Sequence, residues 1–339
     1  MSGHRKCDLI GIGGSAGGLP ALIDLLENFE PQGDATIFVV IHRAAESEHL
    51  VPIIARASPF EVCEPAEGEP LRPNCLYLGG TDAHMTIAQD HIHLRRGPRE
   101  NNFRPAIDPL FRSLAVFGST RATGVVLSGY LDDGAAGARA ILRSGGRVVV
   151  QDPADAISPS MPRATISAVG EPDLIAPTGQ IGEHLGELVT RDAEPAREVD
   201  PDIRLELMIS GLEKASMSSE DGLGELSPYN CPDCNGVLWE IEDGPLLRFR
   251  CHTGHAYSSG SLSHRQEQML EQRLFDSLRA CRERAHYTKK MAERDPTRAG
   301  LWEAKAKDHE EDCTLLENLI QSQQRKSSDI EGSGDTTGR

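Results

Sequence analysis

Four short runs of almost unbroken aliphatic residues govern what the first half of this chain can fold into: Leu9 to Gly13, Thr36 to His42, Thr123 to Gly129 and Arg147 to Gln151. A strand wetted on one face alternates apolar and polar side chains, whereas a strand covered on both faces does not. These runs therefore predict interior strands of a parallel sheet, and helical patterns such as Pro20 to Phe29 lie between some of them. Asp108-Pro109 reads as an N-cap followed by proline at the first helical position, opening a helix over Leu110 to Phe117. Composition agrees with this picture: 38% of residues are hydrophobic but only 4% are aromatic, so the core has to be aliphatic. The expected class is α/β, with a doubly wound, mostly parallel sheet.

Charge and hydropathy exclude several functions. The formal net charge is −17, from 35 basic and 52 acidic residues, and no clustered basic face is evident, which argues against nucleic acid as a partner. No segment approaches the ~20 consecutive apolar residues of a membrane span. The first six residues lead directly into Leu9 without the apolar region of a signal peptide. Eight cysteines are present; Cys7, Cys63 and Cys75 are scattered, whereas Cys231, Cys234 and Cys251 are grouped. Without an export signal, reduced thiols and a cytoplasmic location are expected.

Composition shifts divide the chain. Residues 1–190 carry the alternating strand and helix patterns. The charged, proline-bearing stretch after Arg191 opens an expected linker over 191–227. Residues 228–260 form a Cys/His-rich module, and 261–325 are rich in the helix formers Glu, Arg, Lys, Ala, Leu and Gln. Asp295-Pro296 should break that region into a helical hairpin, and the polar residues 326–339 should be a disordered tail.

The segment Gly11-Ile12-Gly13-Gly14-Ser15-Ala16-Gly17-Gly18 follows the first strand and opens a helix. It fits two templates, a Gly-x-Gly-x-x-Ala dinucleotide fingerprint and a Gly-x-Ser-x-Gly nucleophile elbow. The second strand separates them. A dinucleotide site wants a carboxylate at its end to hold the ribose, whereas here the strand ends in His42. Histidine at that position suits a general base for Ser15 at the neighbouring strand end. The third strand runs into Gly129-Tyr130-Leu131-Asp132-Asp133-Gly134, so one of two carboxylates is available to orient the imidazole, the other to cap the following helix.

With these residues in view, the sequence resembles the catalytic domain of the CheB-type protein-glutamate methylesterases. The resemblance is carried by Ile10 to Gly18, Val39-Val40-Ile41-His42, Leu127 to Ala135, Arg104-Pro105-Ala106-Ile107-Asp108, and Gln151-Asp152-Pro153 through Ser160-Met161-Pro162-Arg163. It implies a triad of Ser15, His42 and Asp133, the acid being the aspartate that immediately precedes Gly134-Ala135. It implies hydrolysis of glutamate γ-methyl esters on methyl-accepting receptors, and deamidation of receptor glutamines, with no cofactor for catalysis. Three departures stand out. Ala16 replaces a threonine, Tyr130-Leu131 replace Met-Gly, and the elbow begins at residue 11, which leaves no room for the receiver domain of the chemotaxis enzyme.

Cys231-Pro232-Asp233-Cys234 and Cys251-His252-Thr253-Gly254-His255 supply four ligands suited to tetrahedral, structural zinc: Cys231, Cys234, Cys251 and His255. His252 directly adjoins Cys251, where shared chelation is strained. Val237 to Ile241 and Leu246 to Arg250 read as a hairpin around Gly244. Three functions follow from these features: a receptor methylesterase, a dinucleotide-binding oxidoreductase, and a non-catalytic signalling scaffold. In the first, residues 1–190 are expected to perform the chemistry unaided. The C-terminal helices are then left to meet receptor helices or to form a homodimer.

Overall fold

The computed structural model describes residues 8–42, 50–190, 195–211 and 224–333, with side chains to 323. Two compact units divide the chain at Leu262 and Ser263. In the first, seven strands form one sheet: β1 (Asp8–Gly14), β2 (Ala35–Ile41), β3 (Glu61–Cys63), β4 (Cys75–Leu78), β7 (Ala122–Val126), β8 (Arg147–Gln151) and β9 (Leu174–Ala176). Their order is β3-β4-β2-β1-β7-β8-β9, and every pairing is parallel. The remaining strands of this region, β5 (His84–Ala88) and β6 (His91–Arg95), make a separate antiparallel hairpin.

Successive residues of each central strand enter different cores, as the two-residue period of a strand requires. Leu9, Phe38, Val40, Val126 and Val150 pack on one side with Phe111 and Leu114 of α3 (Ile107–Gly118) and with α4 (Ala135–Arg143). Ile10, Ile12, Ile37, Val39, Val125 and Val149 pack on the other with α1 (Gly18–Glu27) and α6 (Thr178–Leu188). Each fully buried Ile, Leu or Val contributes on the order of 2 kcal/mol, against 0–1 for an exposed ion pair, so these two layers hold the sheet together. Gly11 lies against α3, where a Cβ would sit 2.4 Å from Leu114 Cδ1. The small residue sets how closely that helix approaches.

The strand order reverses about β1, which pairs with β2 on one side and β7 on the other. Crevices form at such a switch point, outside the carboxyl ends of the strands. Ser15, His42 and the loop bearing Asp133 all leave the sheet there.

The expected α/β class and its sheet are present, with several local differences. Helix α3 begins at Ile107 with Ala106 as N-cap and no side-chain cap. Asp108 therefore lies in the first turn, its carboxylate turned inward to accept from Gly137 N (2.7 Å). The second run ends as strand at Ile41 and the third at Val126.

The expected linker contains a helix, α7 (Pro201–Ser210), with Ile203, Glu206, Ile209 and Ser210 buried. A four-stranded antiparallel ribbon follows, ordered β10 (Glu225–Asn230), β11 (Val237–Asp243), β12 (Leu246–Cys251) and β13 (Ala256–Ser258). It is not set apart from the body that carries the seven-stranded sheet. Arg248 and Arg250 of β12 reach inward: Arg248 binds Glu206 (2.7 Å) and Arg250 binds Glu100 (3.3 Å) and Glu206 (3.1 Å). Arg112 of α3 joins the same two carboxylates, and all five side chains are buried or nearly so. The compact body thus runs past residue 190 to Leu262, because the charges on each side of this seam have their partners on the other.

In the second unit, the remainder of α8 (Ser259–Arg294) and α9 (Ala299–Ser333) flank a short 3-10 turn at Pro296–Arg298. Leu278, Cys313 and Ile320 are buried between the helices, and Arg282–Glu317 (2.7 Å) bridges them. This is the expected hairpin, and its second helix continues into the expected tail. Residues 191–194 and 212–223 of the linker and 334–339 of the tail lie outside the described residues, as do Cys7 and Arg43.

Candidate active site

Strand β1 delivers Ser15 and strand β2 delivers His42 to the same edge. Gly14 pairs with Ile41, and His42 N donates to Gly14 O at 3.0 Å. Gly17 sits at φ 76 and serves as N-cap, so α1 begins three residues after the serine. That left-handed conformation costs glycine nothing, and a Cβ there would also lie 2.7 Å from Ser128 Oγ and Ile157 Cβ. Of the backbone groups opening α1, Gly18 N donates to Ser15 O (2.8 Å), Ala21 N donates to Gly17 O (3.3 Å) and Pro20 has no N–H, which leaves Leu19 N–H as the helix's donor for an oxyanion formed at Ser15.

The loop after β7 braces the elbow. Ser15 N donates to Ser128 O (2.9 Å), and Ser128 Oγ donates to Ala16 O (2.7 Å) while accepting from Ser158 N (2.8 Å). Gln151 Oε1 accepts from Ser128 N (2.7 Å). Gly129 is closely packed: a Cβ would sit 1.9 Å from Met161 Sδ and 2.9 Å from Ser15 Cβ.

His42 Nε2 lies 2.8 Å from Asp133 Oδ2, and both side chains are buried. Phe103 stacks on the imidazole, with ring centroids 3.6 Å apart and planes 11° apart. Asp133 also accepts from Ile107 N (2.7 Å), Asp108 N (3.3 Å) and Asn101 Nδ2 (3.0 Å). The first two are the opening residues of α3, so the carboxylate occupies the positive end of a helix. Burial alone would raise its pKa. The His42 hydrogen bond and charge, with Ile107 N–H and the Asn101 amide, outweigh burial and hold the carboxyl below its ordinary value.

An ionised Asp133 can only accept, so Nε2 of a neutral His42 must carry the ring hydrogen. Nδ1 then holds the lone pair. Among the described residues Nδ1 is buried without a hydrogen-bond partner, and none joins Ser15 Oγ to the ring. Such contacts are often completed only when substrate is bound. The other candidate carboxylate, Asp132, accepts from Ser258 Oγ (2.6 Å) of the ribbon. Neither aspartate caps α4, whose N-cap is Gly134.

The four expected metal ligands come together. The ligand atoms of Cys231, Cys234, Cys251 and His255 all lie within 4.8 Å of one another. Cys234 Sγ–Cys251 Sγ is 3.6 Å, and His255 Nδ1 is 3.5 Å from Cys251 Sγ and 3.7 Å from Cys231 Sγ. A tetrahedron with zinc–sulfur bonds of about 2.3 Å has edges of roughly 3.8 Å, so the donor set fits such an ion. Two tight turns form it: Asn235 N donates to Cys231 O, and Gly254 N, at φ 97, donates to Cys251 O. His252 instead packs against Trp239.

Residues 10–185 match the family model described as CheB methylesterase. The chain belongs to that family. It is 32% identical over 197 residues to the protein-glutamate methylesterase/protein-glutamine glutaminase of Azospirillum brasilense, covering 56% of this chain and 50% of the relative. It is 33% identical over 180 residues to protein-glutamate methylesterase/protein-glutamine glutaminase 2 of Caulobacter vibrioides, covering 51% and 52%. The chain spans about half the length of these curated relatives. The crystal structure of the Thermotoga maritima CheB methylesterase catalytic domain superimposes with a TM-score of 0.52 at 29% identity, covering 54% of this chain and all of that one. The family match gives the dinucleotide and scaffold readings no support, and the His42 ring faces a carboxylate rather than a ribose site.

Sequence reasoning missed Asn101 and Phe103 as site residues, and it treated Ser128, Gln151 and Met161 only as parts of motifs. Asn101-Asn102 is a turn signal, since asparagine tolerates left-handed backbone, but no pattern says what such a turn holds.

Proposed function

We propose that this chain is a cytoplasmic serine hydrolase that removes methyl groups from glutamate γ-methyl esters of methyl-accepting receptor-type proteins. Glutamine deamidation on the same targets uses the same acyl chemistry. The observation that carries the reading is the buried His42–Asp133 pair at the sheet's switch point, beside Ser15 on its elbow. Ser15 Oγ attacks the ester carbonyl while its proton passes to His42 Nδ1. The Leu19 N–H at the start of α1 stabilises the oxyanion, and Asp133 stabilises the imidazolium through Nε2–H. The imidazolium returns the proton to the departing methoxide, releasing methanol. Water then attacks the acyl-enzyme with His42 again as base, giving free glutamate and restoring Ser15. No cofactor enters these steps. Methanol release from a methylated receptor, lost in Ser15→Ala, tests the reading; release that survives this change rules it out.

The ribbon is proposed to hold one structural zinc ion through Cys231, Cys234, Cys251 and His255. Metal analysis of protein purified without an affinity tag should find one ion per chain, and Cys234→Ser should abolish it. The hairpin is proposed as a partner-binding element. Leu270, Phe275, Leu315 and Leu319 are exposed along it, more apolar surface than solvated helices need. Receptor cytoplasmic helices and a second copy of this chain are the two candidates. Sedimentation of the free protein and capture of receptor by the Ser15→Ala variant separate them. Among the described residues no helix is long and apolar enough to cross a membrane.

A further inference from the structure

The turn Glu100-Asn101-Asn102-Phe103 touches the triad on one side and the ribbon on the other. Its ends exchange backbone hydrogen bonds, Phe103 N to Glu100 O (2.9 Å) and Glu100 N to Phe103 O (3.2 Å). The two central asparagines stand at φ 49 and 74, left-handed backbone that this residue tolerates better than most. Toward the triad, Phe103 stacks on His42 and Asn101 reaches Asp133. Toward the ribbon, Asn101 N donates to Ala256 O (2.9 Å), Ala256 N donates to Arg99 O (3.3 Å), and Glu100 binds Arg250.

The Asn101 side chain is saturated. Its Nδ2 donates to Asp133 Oδ1 (3.0 Å) and Asp108 Oδ2 (2.8 Å). Its Oδ1 accepts from Ser258 N (3.0 Å) and Ser261 Oγ (3.1 Å). A primary amide offers two donors and two lone pairs, and all four are used. The orientation is forced as well. Turning the amide over would set its oxygen against two carboxylates and its NH₂ against the Ser258 N–H. Asn101 is thus a rigid link whose far end is anchored by residues about 160 positions later in the chain. Asp133 has one other side-chain partner, His42, so the amide is one of two side-chain contacts that decide where the acid points.

We propose that Asn101 is a positioning residue for the triad acid and that the junction of the ribbon with the first turn of α8, through Ser258 and Ser261, fixes it. This inference rests on the hydrolase reading. The ribbon is then a working part of the esterase, since without its end the link has no anchor. Asp132 strengthens the same attachment by accepting from Ser258 Oγ.

Two variants of the full chain test this, after wild-type turnover and its loss in Ser15→Ala have been established. Asn101→Gly keeps the left-handed backbone and deletes the amide. Ser261→Ala removes one anchor at a residue that touches no triad member. Steady-state kinetics on a small ester should show kcat reduced at least tenfold in Asn101→Gly and about three- to tenfold in Ser261→Ala, with KM within twofold of wild type in both. Labelling of Ser15 by a fluorophosphonate should slow in parallel. Wild-type kcat in a folded Asn101→Gly overturns the positioning role. Wild-type kcat in Ser261→Ala overturns the part of the ribbon–α8 junction, and so does a loss confined to KM. Should Asn101→Gly fail to fold, Ser261→Ala still decides the part of the ribbon–α8 junction. An inactive wild type instead removes the hydrolase reading on which the inference rests.

Discussion

The molecule has two kinds of buried interior, and they are built on opposite principles. Between the helices and the sheet, aliphatic side chains alternate between two layers, and each contributes by losing contact with water. Between the body that carries the sheet and the ribbon, Glu100, Arg112, Glu206, Arg248 and Arg250 form a seam of full charges. An aliphatic layer tolerates any neighbour of suitable volume. A seam of charges tolerates only its own partners, because an unmatched ion there has neither water nor a counter-charge. The sheet therefore supplies most of the stability, and the seam determines which surface the ribbon meets.

The largest expected effects lie at the strand ends and not in either interior. Ser15→Ala and His42→Ala should each lower esterase turnover by about 10³-fold or more with little change in Tm. Asp133→Asn should be severe and Asp132→Asn mild; turnover assays showing the reverse order in folded proteins would move the acid to Asp132. Next come the interiors themselves. Glu206→Leu leaves Arg112, Arg248 and Arg250 short of a carboxylate and should cost about 3–5 kcal/mol. Ile37→Val in the sheet should cost about 0.5–1.5 kcal/mol. Equal losses in denaturant unfolding would dissolve the distinction between the two regions.

Acid sharpens the same contrast. Burial alone would raise the Glu206 carboxyl, but the charge of Arg248 and then of Arg112 overrides it and holds the group below the usual carboxylate range. A carboxyl depressed by folding stabilises the native state fully above its unfolded pKa of about 4.3. That contribution is lost as the pH falls through the lower folded value. Tm should therefore drop steeply below about pH 4, and a folded Glu206→Gln variant should show a shallower drop; parallel curves would mean that other carboxylates dominate. The smallest effect belongs to Leu131, a leucine at φ 61 where the resemblance to relatives has glycine. Left-handed backbone costs a branched residue roughly 1–2 kcal/mol, and glycine returns about 0.5–1 through its freer unfolded chain. Leu131→Gly should thus stabilise by about 0.5 kcal/mol in thermal unfolding. A loss instead would mean that the Leu131 side chain packs more tightly than its partial exposure suggests.

The sheet was legible because an aliphatic run has few other ways to be buried, and the meeting of Ser15, His42 and a carboxylate was legible because strand ends gather on one edge, whereas the choice of Asp133 over Asp132 came from the resemblance alone. That Cys231, Cys234, Cys251 and His255 cluster was legible from spacing. What could not be read was everything that depends on long-range meeting. Arg248 and Arg250 alternate with apolar neighbours as an exposed strand face would, yet they are buried against partners far away in sequence. Asn101 looks like any turn residue, and Asp108 looks like a helix cap until Gly137 and Asn101 are brought to it. Residues 201–210 fell within the linker opened by the charged, proline-bearing stretch after Arg191, and only the three arginines around Glu206 explain why a helix buries there.

Helix α3 serves both regions within its first two turns. Ile107 and Asp108 present their N–H groups to Asp133, and Arg112, about one turn further along, grips Glu100 and Glu206. A single helix cannot melt at one of these points and persist at the other, since its nucleus is costly and its hydrogen bonds stand or fall together. Heat should therefore act on the esterase body and the ribbon as one cooperative block. A calorimetric trace should carry a single endotherm for both, and fluorophosphonate reactivity should disappear at the temperature where that endotherm is centred.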